Sequence, residues 1–550
     1  MYLPSRDVAA ACGRTGAAPP QPRRRALVVC THLRPSRDKR RSTYYMQPIT
    51  GLHIGSLIDR SAFDVRLHHE DWHGPFDTAA CAGYELVFLT GLQPDFDRMR
   101  QLAYHFRRAG ATVVAGGSIC TVFPAFCTQF FDSVCVGGVD SVPALVADFL
   151  QDRLQPIYRQ AARDISRYDV DYGLFARSGI QPMLHLMEAS RGCSFKCSFC
   201  VMPGEVGGHA TYDMDHFARA LESTLAASKP WTFRRWYPLV MLLDNNFSDN
   251  AAHMLRVARH LAEHPRVLGW AALVTQNVLQ DRALISHLAA AKCHLLFAGV
   301  ESLDREMLRR YNKKQNLSRR HDVMADIAFA ESKGIAICYG YIFDHRHQSA
   351  REMEQQIQAL ARNPLMPMPV YLSVIAPLAG TASFWDDLRM GHLSPRLRLR
   401  DLDGETLCHS RLADSEEALI DFLERMFRRP WTVVSRWRIL AKTLRRIVNA
   451  GSFNPVRWYV MTSANFHCFI WSHQTPPSRR TYRAGTDLLD PQYAEHPDDL
   501  SPEDRVRYFE PIELTDADGG PAEWLRPYVP AQPAQPVVRL AVAGSDEAGP

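Results

Sequence analysis

The sequence predicts an α/β protein with two successive blocks of alternating strands and helices, followed by a mostly helical and irregular C-terminal region. Short apolar runs alternate with segments of helical period over 26–152 and again over 185–385. Beyond residue 385 the alternation stops, and helical patterns at 415–428 and 435–448 stand on either side of Pro430, which breaks a helix. These observations divide the chain into two α/β units and a third region.

The composition is that of a folded protein with a small charge imbalance. Of 550 residues, 46% are hydrophobic and 22% are charged, and the formal net charge is +5. Thirteen cysteines are too few for a disulfide scaffold, and no apolar run is long enough for a transmembrane helix. No apolar segment of a secretory signal precedes the basic residues near the N-terminus. We therefore expect a cytoplasmic protein with no membrane partner and no nucleic-acid partner.

The first block, 26–152, is predicted to be a doubly wound, Rossmann-like domain. Its apolar runs predict strands at 26–32, 86–89, 112–115 and 133–136, and helical patterns follow at 97–110 and 142–152. Thr90, Gly91, Gly116 and Gly117 stand at the ends of two strands, where such domains bind ligands. Glycine there lets the backbone approach a ligand closely, but it equally permits a tight turn. Both interpretations stay open at this point.

Four segments outside the two blocks are interpreted from their composition. Residues 1–25 and 527–550 are rich in Pro, Ala and Gly and are expected to be a disordered leader and a disordered tail. Residues 153–184, with two prolines and several aromatics, are a connector. Residues 386–526 form the helical and irregular C-terminal region, for which the sequence indicates no role.

The second block, 185–385, is predicted to be a full or partial β/α barrel. Its predicted strands are 185–188, 240–243, 271–274, 294–298, 335–338, 341–343 and 370–374. Helical patterns separate most of them, at 214–227, 250–263, 281–291, 317–332 and 351–361. Repeated strand–helix units over about 200 residues are typical of such barrels.

Three cysteines, predicted to lie in a loop directly after the first strand of this block, carry the chemistry. Cys193, Cys197 and Cys200 are spaced C-x3-C-x2-C, so three thiolates can converge on one inorganic centre. A structural zinc site normally has four protein ligands, and His209 is the nearest further candidate. An iron–sulfur cluster normally takes four cysteines as well. Three thiolates on a [4Fe–4S] cube would leave one iron open for a small molecule, which favours a reactive cluster.

The motif in this position, with Phe199 before the last cysteine, resembles the radical S-adenosylmethionine (radical SAM) superfamily. The resemblance implies that the three cysteines bind a [4Fe–4S] cluster, that the open iron binds SAM, and that an electron from the cluster splits a C–S bond of SAM. It covers roughly 185–385. It also implies that SAM is contacted by residues that follow later barrel strands: Asp244, Asn245, Glu301, Ser302 and Ile342.

One later element matches the pattern of the superfamily, and another departs from it. Pro377 to Thr381 resembles the late Pro-x-x-Gly-Thr turn of the superfamily. Where the family usually has glycine after the strand that ends at Phe343, this chain has Asp344, followed by His345-Arg346-His347. The loop after that strand is therefore expected to differ from the family pattern.

The first block resembles the cobalamin-binding domain of one class of radical SAM enzymes. The shared layout is a strand, Gly116-Gly117, a further strand, and Gly137-Gly138-Val139-Asp140 before a helix. No Asp-x-His-x-x-Gly motif is present, so no histidine is predicted to ligate cobalt from below. The resemblance implies cobalamin as a third cofactor, contacted by Thr90, Gly91 and the glycine pair. A retained fold without a cobalamin site is the alternative.

The function predicted on this basis is transfer of a SAM-derived group, foremost a methyl group through cobalamin, to a small-molecule substrate of natural-product type. An electron donor such as flavodoxin or ferredoxin is an expected partner. One alternative is chemistry without cobalamin, either ring formation or transfer of the 3-amino-3-carboxypropyl group, for example to a metalloid. The other is modification of RNA or a peptide; the basic stretches of the C-terminal region are short and are followed by acidic residues such as Asp487 and Asp490.

Overall fold

The computed structural model describes most of the chain between residues 23 and 530. The described ranges are 23–33, 49–159, 165–180, 184–205, 208–227, 238–317, 322–449, 458, 462, 482–486 and 496–530. Most of the predicted leader and tail lies outside these residues. The first strand begins at Arg24, inside the range assigned to the leader, and Tyr528, in the range assigned to the tail, packs against Phe123 with ring centroids 5.0 Å apart.

The first block forms a six-stranded parallel sheet in the order β2-β1-β3-β4-β5-β6. Its strands are β1 (Arg24–Cys30), β2 (Phe63–His69), β3 (Leu86–Gly91), β4 (Thr112–Gly117), β5 (Ser133–Val136) and β6 (Ile157–Arg159). Four of them confirm predicted strands. The other two, β2 and β6, were not predicted because they are the sheet edges, and in β2 buried and exposed side chains alternate. This order places a topological switch between β1 and β3, where doubly wound sheets bind ligands.

Helices cover both faces of this sheet, as expected of a doubly wound domain. They are α1 (Thr50–Leu57), α2 (Glu70–His73), α3 (Phe96–Arg108), α4 (Ser118–Val122), α5 (Pro124–Cys127), α6 (Val142–Phe149) and α7 (Gly173–Arg177). The helices predicted at 97–110 and 142–152 correspond to α3 and α6. Short 3-10 turns at Thr78–Cys81 and Gln93–Asp95 complete the connections.

The second block forms a partial barrel of parallel strands joined by helices. Its strands, with a small hairpin, are β7 (His185–Met187), β8 (Ser190–Cys193), β9 (Gly208–Thr211), β10 (Leu239–Leu242), β11 (Gly269–Thr275), β12 (Cys293–Gly299), β13 (Ala336–Cys338), β14 (Gly340–Phe343) and β15 (Tyr371–Val374). The order is β13-β12-β11-β10-β7, β14 pairs in parallel with β15, and a parallel bridge between Glu301 and Tyr341 joins β12 to β14. The predicted barrel is thus confirmed in its partial form.

The remaining helices surround the barrel and continue into the C-terminal region. They are α8 (Met202–Glu205), α9 (Met214–Ala226), α10 (Ala251–Glu263), α11 (Arg282–Ala290), α12 (Arg305–Arg310), α13 (Lys314–Leu317), α14 (Val323–Ser332), α15 (Ala350–Arg362), α16 (Ala382–Arg389), α17 (Glu416–Arg428), α18 (Arg436–Asn449) and α19 (Pro502–Asp504). Pro430 separates α17 from α18, as the sequence predicts. Among the described residues, no helix has the length and apolar character needed to cross a membrane.

The C-terminal region packs against the first sheet as well as following the barrel. Aromatic and aliphatic residues of 384–402 and 508–525 share one buried apolar cluster with α3 and β4. Within it, the rings of Phe126 and Trp524 stack with centroids 4.0 Å apart. The C-terminal region therefore holds the two α/β units together.

A buried charge cluster fixes the same junction. The carboxylate of Asp97 on α3 accepts hydrogen bonds from Arg100 at 2.7 Å and from Arg400 at 2.8 Å, and all three side chains are almost fully buried. Burial acts to raise the pKa of Asp97, but the two guanidinium groups outweigh it and hold that pKa below its usual value. One carboxylate thus ties the first domain to the C-terminal region.

We expect Asp97→Ala to destabilise the fold strongly, because it leaves two buried guanidinium groups without their shared anion. Loss of one partner from a buried ion pair costs about 3–5 kcal/mol. The matched control is Asp64→Ala, since Asp64 and Arg66 form an exposed ion pair whose loss should cost less than about 1 kcal/mol. Urea unfolding followed by circular dichroism measures both, and equal losses for the two variants would contradict the assigned role.

Candidate active site

One cavity of about 570 Å³ lies where the carboxyl ends of the two parallel sheets face each other. Its walls are the ends of β1, β3, β4 and β5 on one side and the barrel strands β14 and β15 with the cysteine loop on the other. This volume is in the usual range of small-molecule sites. Six predicted site residues line it: Thr90, Gly91, Gly116, Gly117, Asn245 and Ile342.

The three glycines at this edge of the first sheet differ in the space that a side chain would have. A Cβ on Gly91 would lie 2.3 Å from Thr31 Oγ1, and a Cβ on Gly117 would lie 2.7 Å from the Gly91 carbonyl oxygen. Gly117 also has φ +107°, which disfavours other residues. A Cβ on Gly116 would meet nothing closer than Cys135 Cβ at 3.8 Å. Packing therefore requires Gly91 and Gly117, whereas Gly116 faces open cavity.

The cysteine motif begins in a hairpin, which corrects the prediction that all of it lies in a loop. Cys193 is the last residue of β8, which pairs with β9 in antiparallel register. The two strands come this close because Gly192 has φ +90° and a Cβ there would lie 2.1 Å from the Gly208 carbonyl oxygen. Only Cys197 and Cys200 stand in the loop that follows.

Neighbouring elements hold this loop in place through its backbone. The Ser198 N–H donates to the Tyr311 carbonyl at 2.9 Å, and the Asn312 side-chain amide donates to the Lys196 carbonyl at 2.7 Å. At the start of α16, the Ser383 hydroxyl donates to the Ser198 carbonyl at 2.9 Å. The loop geometry is therefore imposed by the end of α12 and by α16, and not by the loop alone.

Each thiol has a hydrogen-bond donor, which suits an anionic sulfur ligand. The Asn246 amide lies 3.6 Å from Cys193 Sγ, and the Gln315 amide lies 3.6 Å from Cys197 Sγ. Burial raises the pKa of Cys193, and of Cys200 to about 12, while the Met202 N–H opposes that shift at Cys200. Donors at the sulfurs are what an iron–sulfur cluster needs, since they compensate its charge and tune its potential. The residues present thus fit the implied cluster.

In the described part of the chain, no three His, Cys, Asp or Glu side chains are gathered closely enough to hold a single metal ion. This is compatible with the cluster, because the thiolates of a cube bind three different irons. His209, the further zinc candidate from the sequence, pairs with Gly192 across the hairpin and lies 3.7 Å from an Asp249 carboxylate oxygen.

A buried ion pair links the cysteine loop to the barrel. Lys313 Nζ lies 2.8 Å from Glu301 Oε1 and 5.8 Å from the centre of the Phe199 ring. Burial acts to lower the pKa of Lys313, but Glu301 and the thiols of Cys197 and Cys200 raise it overall. Glu301 has φ +58°, a strained conformation held by the bridge between its backbone and Tyr341. Such strain is typical of functional sites.

Three predicted SAM contacts do not line the cavity: Glu301, described above, and also Asp244 and Ser302. Asp244 is fully buried and accepts hydrogen bonds from the Ala189 N–H and the Ser190 hydroxyl, and burial raises its pKa to about 7. Ser302 is buried and accepts from the Asp304 N–H at 3.1 Å. The part of all three residues in cofactor binding therefore stays a prediction.

Several cavity residues were missed by the reasoning from sequence. Glu188 and Arg191 form an ion pair of 3.0 Å in the wall between the two sheets. Arg191 stands two residues before Cys193, so the cysteine motif itself could have indicated it. Gln93 gave no such signal: its side-chain amide donates to the Ala379 carbonyl at 2.9 Å and accepts from the Ala379 N–H at 2.8 Å. This clamp joins the first sheet to the late barrel turn.

We expect the Lys313–Glu301 pair to set the reduction potential of a reconstituted cluster. Nearby positive charge favours the reduced cluster, so Lys313→Met should shift the potential to more negative values and Glu301→Gln to less negative values. The double variant, which removes one charge of each sign, should return close to the parent. The control is Glu306→Gln, an exposed partner of Arg309. Redox titration followed by EPR measures this; single variants that shift in the same direction, at equal iron content, would refute the assignment.

Two proteins that are similar to the chain in sequence are methyl-transferring enzymes. No model of a known protein family matches the sequence. Bacteriochlorophyllide d C-8(2)-methyltransferase of Chlorobaculum tepidum is 24% identical over 316 residues, which is 55% of this chain and 68% of that protein. Hopanoid C-2 methylase of Rhodopseudomonas palustris is 21% identical over 321 residues, 56% of this chain and 57% of the methylase. The match thus spans about two thirds of one relative and little more than half of the other.

A solved structure shares the fold over most of the chain. It is the cobalamin-dependent SAM radical enzyme OxsB with aqua-cobalamin bound, at a TM-score of 0.56 and 12% identity. The alignment covers 80% of this chain and 70% of OxsB. The relatives and this shared fold agree with the resemblance stated from the sequence: over a little more than half of its length the chain is similar to methyl-transferring enzymes, and it has the fold of a cobalamin-dependent SAM radical enzyme.

Proposed function

We propose that the chain transfers a methyl group from SAM to a small-molecule substrate, in a reaction that uses a [4Fe–4S] cluster and cobalamin. The observation that carries this proposal is the cavity described above, because it brings the glycine-lined edge of the first sheet and the barrel wall beside the cysteine loop into one space. When bound, the cluster supplies the electron that splits SAM and cobalamin relays a methyl group. The protein's part is to hold, orient and enclose these groups.

Cys193, Cys197 and Cys200 are proposed as the ligands of the cluster. Their donors Asn246 and Gln315 come from the ends of different barrel elements, so the arrangement depends on the closed barrel and not on the motif alone. Three cysteine ligands leave one iron for SAM, as the superfamily resemblance implies.

On the SAM side, Asn245 and Ile342 are the predicted contacts that reach the cavity. The Asn245 side-chain oxygen accepts from the Gly192 N–H at 2.9 Å, so the residue proposed to meet SAM also fixes the cysteine hairpin. Ile342 and Phe199 both pack against one small apolar cluster of Met307, Tyr311 and Ile375, which supplies an apolar surface suited to a nucleoside base. Glu301 is proposed to act with Lys313 beside the cluster.

On the cobalamin side, Thr90, Gly91, Gly116 and Gly117 form the proposed contact surface. They lie at the carboxyl ends of β3 and β4, next to the switch point of the sheet. At Gly116 the backbone borders open cavity, so a large planar group can approach it closely. The Thr31 hydroxyl donates to the Thr90 carbonyl at 3.1 Å and stiffens this edge.

The substrate is proposed to be a largely apolar small molecule of natural-product type. The wall of the cavity contributed by the barrel and the C-terminal region is mainly apolar: Phe199, Val201, Met202, Ile375, Leu378 and Leu402. The relatives named above act on bacteriochlorophyllide and hopanoid molecules, which fits this lining. A cytoplasmic location and an electron donor such as flavodoxin or ferredoxin are part of the proposal.

The products made from SAM test the proposal. Protein reconstituted anaerobically with iron, sulfide and cobalamin, and then given SAM and a chemical reductant such as dithionite, should form 5′-deoxyadenosine, and should form S-adenosylhomocysteine only when cobalamin is present. Cys197→Ala should lose the deoxyadenosine, whereas Cys81→Ala, a buried cysteine outside the site, should retain it. Methylthioadenosine made without cobalamin would instead indicate 3-amino-3-carboxypropyl transfer and would overturn the proposal.

Gly116→Val should abolish retention of cobalamin and leave the iron content unchanged. A Cβ at this position meets no neighbouring atom closely, so the variant should fold. The valine side chain would project into the cavity and exclude cobalamin. Thr112→Val, at the amino end of the same strand, is the control and should bind cobalamin as the parent does. Absorbance and iron analysis after gel filtration give both quantities; full cobalamin retention by Gly116→Val would exclude this edge as its site.

A further inference from the structure

The C-terminal region contains a long segment without acidic residues. Between Glu424 and Asp487 the sequence has twelve lysine and arginine residues and no aspartate or glutamate. The pairs formed at its edges, such as Arg425 with Glu354, use carboxylates from outside the segment. Such a run of one sign of charge is suited to an anionic partner. Helix α18 lies within this segment.

Helix α18 lies on the barrel with two of its cationic side chains, Lys442 and Arg446, facing inward. The Arg446 guanidinium is almost fully buried and donates to both carboxylate oxygens of Glu331 on α14. Lys442 is also buried, and its ammonium donates to the carbonyls of Leu360 and Asn363 at the end of α15. These bonds and the buried Ile439 side chain fix the orientation of the helix.

The opposite face of α18 presents apolar side chains to solvent. Trp437, Leu444 and Val448 are 79%, 55% and 77% exposed. With Ala441 they are spaced by four, three and four residues, which places them in one stripe along the helix. A helix on a protein surface normally buries its apolar side and exposes its charges. The reversed arrangement here indicates that the apolar stripe meets another phase or partner.

Cationic side chains border this stripe. Arg436, Arg438 and Arg445 are exposed, and the Arg436 guanidinium lies 4.2 Å from the centre of the Trp431 ring. Exposed tryptophan and leucine flanked by arginine is the pattern of helices that lie in a lipid interface. Tryptophan in particular is enriched at the level of lipid headgroups.

We propose that the outward face of α18 docks the protein on an anionic lipid bilayer. The stripe would enter the headgroup region, and the three arginines would contact lipid phosphates. A second copy is disfavoured, because a symmetric contact would set these arginines against one another. RNA is disfavoured, because leucine and valine offer it neither stacking nor hydrogen bonds. The proposal differs from the expectation from sequence that the protein has no membrane partner.

The anchoring of α18 makes this a preformed platform. Because Arg446 and Lys442 already hold the helix on α14 and α15, binding requires no folding of the helix. The bilayer would then meet one fixed side of the barrel. Binding to the bilayer involves neither the cluster nor SAM. The outcome of a membrane-binding experiment is therefore independent of the proposed methyl transfer.

Flotation of the full chain with lipid vesicles tests the proposal. The protein should bind vesicles of equal parts phosphatidylglycerol and phosphatidylcholine, and should bind vesicles of phosphatidylcholine alone much more weakly. The variant Arg438→Gln/Arg445→Gln should lose about fivefold in affinity per arginine. The variant Trp437→Ser/Leu444→Ser should lose at least as much, and 0.5 M NaCl should weaken binding of the parent, since salt screens exposed charges.

Matched controls stand on α10, where Leu255 and Arg259 are exposed one helical turn apart. Leu255→Ser and Arg259→Gln should leave vesicle binding unchanged. The proposal is overturned if the α18 variants bind as the parent does, or if the controls lose as much. It is also overturned if the parent ignores anionic vesicles and instead dimerises through α18 or shifts a structured RNA in a salt-sensitive way.

Discussion

The constraint on which the site depends is that all strands of a parallel sheet end at the same edge. Both α/β units of this chain obey it, and their carboxyl edges open onto one cavity. Two buried polar contacts keep the edges opposed: the Gln93 side chain holds the Ala379 backbone, and Asp97 holds Arg400. Both are almost fully buried, where an unpaired partner is costly, so the two units are held in one arrangement. The position of every proposed cofactor contact follows from this.

Within the barrel, the backbone conformation and the buried charges around the three cysteines depend on the same residues. Gly192 allows strand β8, which ends in Cys193, to pair closely with β9. The Gly192 N–H donates to the Asn245 side chain, so a residue of the cavity wall also positions the Cys193 thiol. The Lys313–Glu301 pair places a buried cation between the loop and the strained strand end at Glu301. Asp244 is buried outside the cavity and fixes the start of the hairpin, because it accepts hydrogen bonds from the Ala189 N–H and the Ser190 hydroxyl. The three cysteines are therefore part of a network that reaches the ends of the barrel strands β7, β10 and β12.

Periodicity and the cysteine spacing predict much of this architecture, and the limits of the prediction are physical. Buried parallel strands such as β3 and β12 are recognisable as apolar runs, whereas the edge strand β2 is half exposed and is not. The cavity residues at strand ends were predicted where glycine or a motif marks them. Gln93 was missed because its partner Ala379 lies 286 residues away in sequence. Glu188 and Lys313 were missed because no motif marks them, although their ion-pair partners Arg191 and Glu301 are near in sequence. The reversed face of α18 likewise appears only when burial is known.

The central claim, that the two cofactor sites share one cavity, is tested most directly by EPR of protein loaded with both the reduced cluster and cob(II)alamin. Two paramagnets that face one cavity should couple, so both signals should be broadened or split relative to protein that carries only one of them. Gly116→Val should show the uncoupled cluster signal alone. Two unperturbed signals in doubly loaded protein would place cobalamin elsewhere and would contradict the account.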